Sequence, residues 1–144
     1  VGACIVNEDK RIVSTGYNGM PNGCPDKDLP WGKGDPDILN NKKLYVCHAE
    51  LNAVLNKNST DVKNCTIYVS LFPCNECAKV IIQSGIKKIM YYSDKYKDRP
   101  DVKASKSMFD MAKVAYSQYR PTRDKIEIDF SVIEKMSEGA YMDS

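Results

Sequence analysis

Pro73-Cys74-Asn75-Glu76-Cys77 sets two thiols at positions i and i+3. At the start of a helix such a pair shares one face and can close on a single ion. The positive end of the helix dipole favours the thiolate form that a metal requires. The chain's one histidine, His48, lies in His48-Ala49-Glu50. One imidazole and two thiolates are a ligand set that zinc accepts; a fourth position left to water makes such a site catalytic, and a fourth protein ligand makes it structural. Cys4, Cys24, Cys47 and Cys65 form no second C-x-x-C pair, so a closed site needs one of them to arrive from a distance. Cys47 is adjacent to His48, and on a helix the two side chains diverge by about 100°. Glu50 separates the readings. Zinc with two thiolates and a neutral imidazole carries no net charge and acidifies a water weakly, so a nearby carboxylate is needed as base. The plainer alternative is an exposed glutamate that stabilises a helix start. Positions i and i+2 point to opposite sides of an ideal helix, so the site is expected at a helix end.

Two helix starts must therefore meet. Residues 47–55 read as one helix and residues 73–82 as the other, with Gly85 closing the second. Residues 1–6 and 11–15 flank the polar turn Asn7-Glu8-Asp9-Lys10 and predict an opening hairpin. From Gly16 to Tyr45 the chain is loop chemistry, punctuated by five glycines and four prolines; a loop of that length inside a compact domain is uncommon unless it is functional. Residues 66–71 and 87–92 predict strands, and residues 93–99 a charged loop. Residues 102–115 predict an amphipathic helix whose apolar face holds Met108, Met111, Ala112 and Ala115. Residues 114–119 read as a fifth strand or the end of that helix. Residues 126–130 alternate, Ile126 and Ile128 against Glu127 and Asp129, and predict a short terminal strand. Helices between successive strands imply parallel crossovers. The expected fold is α/β, a mixed five-stranded sheet with helices on both faces.

Composition narrows the function classes. The chain has 144 residues, 21 Lys+Arg against 19 Asp+Glu, and a net charge of +2. That length is one domain, read here as residues 1–144, with 131–144 as a flexible tail. The charge balance excludes a strongly basic nucleic-acid tail. No apolar run approaches the ~20 residues of a membrane helix, and no signal peptide precedes Val1, so a soluble chain is expected. Disulfide frameworks belong to short secreted chains, and six cysteines at this length read as intracellular thiols or metal ligands.

H-x-E followed by P-C-x-x-C resembles the signature of zinc nucleobase deaminases. Three longer segments narrow the resemblance within the cytidine and deoxycytidylate deaminase family: Gly16-Tyr17-Asn18-Gly19-Met20-Pro21-Asn22-Gly23-Cys24, residues 45–53 (YVCHAELNA) and residues 71–79 (LFPCNECAK). Ser93-Asp94-Lys95-Tyr96 is similar too. The likeness runs from Val1 to about Phe130. It implies a three-layer α/β/α fold, a catalytic Zn²⁺ on His48, Cys74 and Cys77, and Glu50 as the proton shuttle. It also implies a helix ahead of the first strand that this chain does not contain.

The same resemblance implies hydrolytic deamination of dCMP to dUMP and ammonia, feeding thymidylate synthesis in the cytoplasm. It assigns Asn18 to the sugar hydroxyl, the Ala49 N–H to the pyrimidine carbonyl and the Phe72 backbone to the exocyclic amine. A phosphate dianion wants cations or hydroxyl donors, and Lys95 and Tyr96 lie where ligands bind in such sheets, past a strand's carboxyl end. Lys97 and Arg99 read as solvated. Family likeness further implies a homo-hexamer activated by dCTP and inhibited by dTTP, with Tyr17, Asn18, Gly19 and Asn22 in the effector site and Mg²⁺ with the effector. The alternatives are a polynucleotide or tRNA deaminase with the same zinc site, and a zinc-stabilised binding module without catalysis. Neither a polynucleotide nor a membrane partner is expected.

Overall fold

The structure is a computed structural model that describes residues 1–136. Five strands form one sheet in the order β2-β1-β3-β4-β5. They are β1 (Gly2–Val6), β2 (Ile12–Tyr17), β3 (Thr66–Leu71), β4 (Lys88–Ser93) and β5 (Ala115–Gln118). β1 pairs antiparallel with β2 and with β3, whereas β3, β4 and β5 run parallel. The antiparallel pair turns through Asn7, whose side chain and backbone bind the N–H groups of Arg11 and Lys10. The parallel pairs are joined through α2 (Asn75–Gln83) and α3 (Pro100–Ala112), and α1 (Ala49–Leu55) links β2 to β3.

Strand alternation builds the core. Ile5 pairs with Ile67 and Ile67 with Ile89, and all three are fully buried. Truncating any one to alanine would cost roughly 2–5 kcal/mol. α1 packs on α2 and α2 on α3. These helices cover the isoleucine face of the sheet and put the starts of α1 and α2 at one end of it. The intervening residues Cys4, Tyr68 and Met90 also stand in register and form the opposite, half-exposed face.

The structure moves several expected boundaries. β2 runs to Tyr17, two residues beyond its apolar pattern, because it pairs with β1 as far as Gly2. α3 buries Val102, Ser105 and Phe109 rather than a stripe through Met111, which is 77% exposed. Phe109 is the largest fully buried side chain, and its volume orients the helix. The expected strand over residues 126–130 does not form: Ile126, Ile128 and Phe130 stand 83%, 72% and 89% exposed. Alternation marks a strand only where a neighbouring strand accepts its hydrogen bonds. The long loop after β2 is shaped by three short 3-10 turns at Asp26–Asp28, Ile38–Asn40 and Lys42–Leu44. Within the expected tail, Val132–Lys135 forms one exposed helical turn, α4, and residues 137–144 lie outside the described residues.

The tightest approach in the fold joins β2 to α1. A Cβ on Gly16 would stand 2.2 Å from the Ala49 carbonyl oxygen and 2.5 Å from the Ala53 nitrogen. Ser14, one step along β2 on the same side, gives its hydroxyl to the Ala53 carbonyl at 2.5 Å. Gly16→Ala must push α1 off the sheet. A stability loss of about 2–3 kcal/mol is expected in urea unfolding; an unchanged midpoint would show that this contact is slack.

Candidate active site

Each predicted ligand sits where a helix begins. His48 is the N-cap of α1 and Cys74 the N-cap of α2, both with extended backbone, and neither side chain caps its own helix. The caution about i and i+2 does not arise, because His48 precedes the helical turn that carries Glu50. The N–H of Ala49, which a capping side chain of residue 48 leaves unserved, donates instead to Asn18 Oδ1 at 3.0 Å. Paired backbone bonds between Gly19 and Cys47, of 3.1 and 2.8 Å, bind the end of β2 to the entrance of α1. Asn52 reinforces that joint by donating from Nδ2 to the Tyr17 carbonyl at 2.8 Å.

On the other side, Phe72 and Pro73 are buried and anchor the turn into α2. The Phe72 ring meets Tyr91, Phe109 and Tyr116 edge-on, at centroid distances of 5.0, 6.0 and 5.5 Å. Such pairs prefer this geometry and hold the turn firmly.

His48 Nδ1 lies 3.5 Å from Cys74 Sγ and 3.4 Å from Cys77 Sγ. Zinc bonds of about 2.0–2.1 Å to nitrogen and 2.3 Å to sulfur, at tetrahedral angles, require about 3.6 Å between those atoms. Both His48–sulfur distances suit donors to one zinc ion, and all three donor atoms lie within 4.8 Å of one another. They are the one such group of three among the described residues. Cys4, Cys24, Cys47 and Cys65 stand outside it as free thiols.

The charges are disposed to match. The hydrogen bond from Cys77 pulls the Cys74 thiol down to about 4, with a second contribution from His48. The same bond, with burial, pushes Cys77 up. One proton is thus shared between the two sulfurs, and a metal would displace it. The Cys74 thiolate raises His48 by hydrogen bonding. Glu50, 4% exposed, is raised above the ordinary carboxyl range by burial. It is not the exposed glutamate of the plainer alternative.

His48, Glu50 and Cys74 line a cavity of about 590 Å³, a volume suited to a small ligand. Asn18, His48, Glu50, Phe72 and Cys74 line it from the end of β2 and the starts of α1 and α2, the base-side wall, and Lys95 and Tyr96 line it from the loop after β4. Ala49 is buried behind the wall, its N–H already taken by Asn18. Of the expected effector residues, Tyr17 is 77% exposed and Asn22 is exposed, while Gly19 is held by Cys47. Sequence reasoning missed Lys33, Lys42, Lys43 and Arg99, which also border the cavity. The signal available for Arg99 was its place in the loop after β4. The three lysines come from the long loop, whose path no local pattern announces. A second concavity of about 630 Å³, between α1 and α2, has mainly aliphatic walls and holds none of the predicted groups.

Residues 1–93 match the family described as cytidine and deoxycytidylate deaminase zinc-binding region. The chain belongs to the cytidine and deoxycytidylate deaminase family. The chain is 58% identical over 133 residues to the deoxycytidylate deaminase of Pongo abelii, and 57% identical to that of Homo sapiens. Both alignments span 92% of this chain and 75% of the relative. Among solved structures, the dCMP deaminase of cyanophage S-TIM5 in complex with dCMP and dUMP superposes with a TM-score of 0.60 at 26% identity, covering 82% of this chain and 79% of that one. The mixed sheet and its strand order are those of the family's three-layer α/β/α fold, with α1, α2 and α3 forming one layer. The zinc expected from the motif is the metal named in the family's description, and His48, Cys74 and Cys77 all fall inside the matched residues. Lys95 and Tyr96 fall just outside them.

Cys74→Ser and Cys77→Ser are each expected to cut bound metal from about one ion per chain to a small fraction of that. Elemental analysis of gel-filtered protein measures it. Full metal retention in either variant would remove that sulfur from the ligand set.

Proposed function

We propose that this chain catalyses the hydrolytic deamination of dCMP to dUMP and ammonia. One observation carries the reading: a buried carboxyl, Glu50, lines one cavity with His48 and Cys74 of the zinc-shaped His48–Cys74–Cys77 group, and Lys33, Lys42, Lys43, Lys95 and Arg99 line the same cavity. Similarity to deoxycytidylate deaminases across most of the chain supports the same substrate.

His48, Cys74 and Cys77 would hold the zinc ion, which would supply the Lewis acidity that makes a water molecule easier to deprotonate. Glu50 accepts the proton as the water oxygen bonds to C4 of the cytosine ring, and passes it to N3. The carboxyl then takes up the second water proton and delivers it to the amine as the C4–N bond breaks. Water and cytosine thereby become uracil and ammonia, and Glu50 ends as it began. A carboxyl raised by burial can serve as both base and acid near neutral pH. The Phe72 carbonyl is suited to accept from the departing amine. Asn18 and the Ala49 N–H are assigned to the sugar and the pyrimidine carbonyl; they now bond each other, so ligand binding exchanges that bond for two new ones.

Lys95 and Tyr96 are assigned to the phosphate. Lys95 has no carboxylate partner among the described residues, whereas Arg99 is forked onto Asp101 at 3.0 and 2.9 Å. The Tyr96 ring lies near both cations, 5.2 Å from Lys95 Nζ and 5.0 Å from the Arg99 guanidinium. The net charge of +2 suits a single phosphate better than a polynucleotide.

The finer parts of the proposal rest on family likeness. They are one zinc-dependent domain with one zinc per subunit, a cytoplasmic homo-hexamer, and activation by dCTP and inhibition by dTTP through Tyr17, Asn18, Gly19 and Asn22. Exposure of Tyr17 and Asn22 leaves that loop open to a nucleotide or a neighbouring copy. Mg²⁺ would accompany the effector's phosphates rather than a protein cage. No helix among the described residues is long and apolar enough to cross a membrane.

Glu50→Gln is expected to keep zinc and lose about 10²–10⁴-fold in kcat, followed by ammonia release. Substantial turnover in the variant would remove Glu50 from its role. A panel of dCMP, deoxycytidine, CMP and oligonucleotides, with and without dCTP, tests the substrate. The expected order puts dCMP first; a preference for deoxycytidine or an oligonucleotide would overturn the phosphate assignment.

A further inference from the structure

Lys106 lies on α3 beside the buried stripe of Val102, Ser105 and Phe109, and its side chain is only 28% exposed. Its ammonium meets two things at once. Asp94 Oδ2 is 2.6 Å away, and the centroid of the Phe72 ring is 5.1 Å away. Asp94 belongs to the loop that carries Lys95 and Tyr96, and Phe72 to the turn that carries Cys74.

The other bonds of that loop are short in sequence. The Lys95 N–H donates to Ser93 Oγ, the Lys97 N–H to the Asp94 carbonyl and the Arg99 N–H to the Tyr96 carbonyl. Arg99 reaches only to Asp101, two residues on. Such bonds shape the loop but do not place it. The ion pair to Lys106 spans 12 residues and ties the loop to a helix that the core holds. Asp94 has no alternative: its Oδ1 is buried without a hydrogen-bond partner among the described residues, and Lys106 is its one salt-bridge partner there. At the near end, the Phe72 N–H donates to the Ser93 carbonyl at 2.9 Å, so the loop starts from a fixed point beside the base-side wall.

We infer that Lys106 is a positioning residue: by pairing with Asp94 while resting on Phe72, its ammonium sets the distance between the base-side wall and the phosphate-binding loop. This rests on the assignment of the phosphate to Lys95 and Tyr96. A charge is needed because the partner is a half-buried carboxylate that an apolar side chain would strand. The face of Phe72 holds the ammonium from the other side by cation–π attraction. Lys106 is not among the residues that line the cavity, and its ammonium contacts Asp94 and Phe72 rather than His48, Cys74 or Cys77. Its loss should therefore weaken substrate capture and leave the chemical step intact.

The experiment compares Lys106→Met, Asp94→Asn and Lys106→Arg in zinc-loaded protein. Methionine keeps the stem against Phe72 and removes the charge. In Lys106→Met the KM for dCMP is expected to rise about tenfold or more, with kcat within about twofold of the parent. Zinc content and the thermal midpoint serve as structural readouts. Asp94→Asn should move KM in the same direction, the double variant should be no worse than the more affected single one, and Lys106→Arg should recover most of the loss. An unchanged KM in Lys106→Met and Asp94→Asn would overturn the inference. So would a fall in kcat that tracks loss of zinc or thermal stability, since that marks a merely structural role. A parent protein without dCMP deaminase activity would overturn the functional reading itself. An active parent with unaffected variants would overturn the role of Lys106 alone.

Discussion

His48 and Cys74 hold the N-cap positions of two helices, and both keep their side chains off the backbone they would ordinarily cap. A helix start leaves donor groups that must find partners. Here a residue from elsewhere takes over part of that duty. Asn18, at the end of β2, serves the Ala49 N–H, and the imidazole is released to face two sulfurs across the gap. The arrangement works only if β2 and α1 stay in close contact. Gly16, with the Ala49 and Ala53 backbone where a side chain would be, makes that contact possible.

The second helix is fixed by different means. Its entrance is held by aromatic packing, with Phe72 buried among Tyr91, Phe109 and Tyr116. The first anchor is a lattice of backbone hydrogen bonds and the second is dispersion and ring geometry. Together they keep the imidazole nitrogen at distances from the two sulfurs that a tetrahedral ion accepts. Preorganisation of this kind also keeps Glu50 buried beside the ligands rather than turned to solvent. Burial raises its carboxyl above the usual range, and that shift is what acid–base exchange in a reaction cycle needs.

Much of this was legible from local pattern. The i, i+3 thiols predicted a shared face, the sole histidine had no competing role, and Pro73 and Gly85 bracketed a helix in the expected place. β1, β3 and β4 fall on residues 1–6, 66–71 and 87–92, where strands are expected. The failures share one cause. Residues 126–130 carry a strand's alternation without a partner strand, and Met111 fits an apolar periodicity whose true buried stripe runs through Phe109. Both features depend on which surface lies opposite, and local periodicity carries no record of that. Arg99, Lys42 and Lys43 look like ordinary surface charges for the same reason.

By itself the sequence determined the ligand types, their spacing within each motif, the order of strands and helices, and membership of the deaminase family through residues 1–93. Those are properties of neighbouring residues, set by propensity, capping and the chemistry of each side chain. Only the tertiary structure decided that His48 Nδ1 faces the two sulfurs, that Glu50 is buried, that Asn18 serves the start of α1 from just beyond β2, and that Lys106 joins the loop after β4 to the turn before α2. Each of these is a contact between residues far apart in the chain. Their distances follow from how the sheet, the helices and the long loop pack, and no local run of residues encodes that packing.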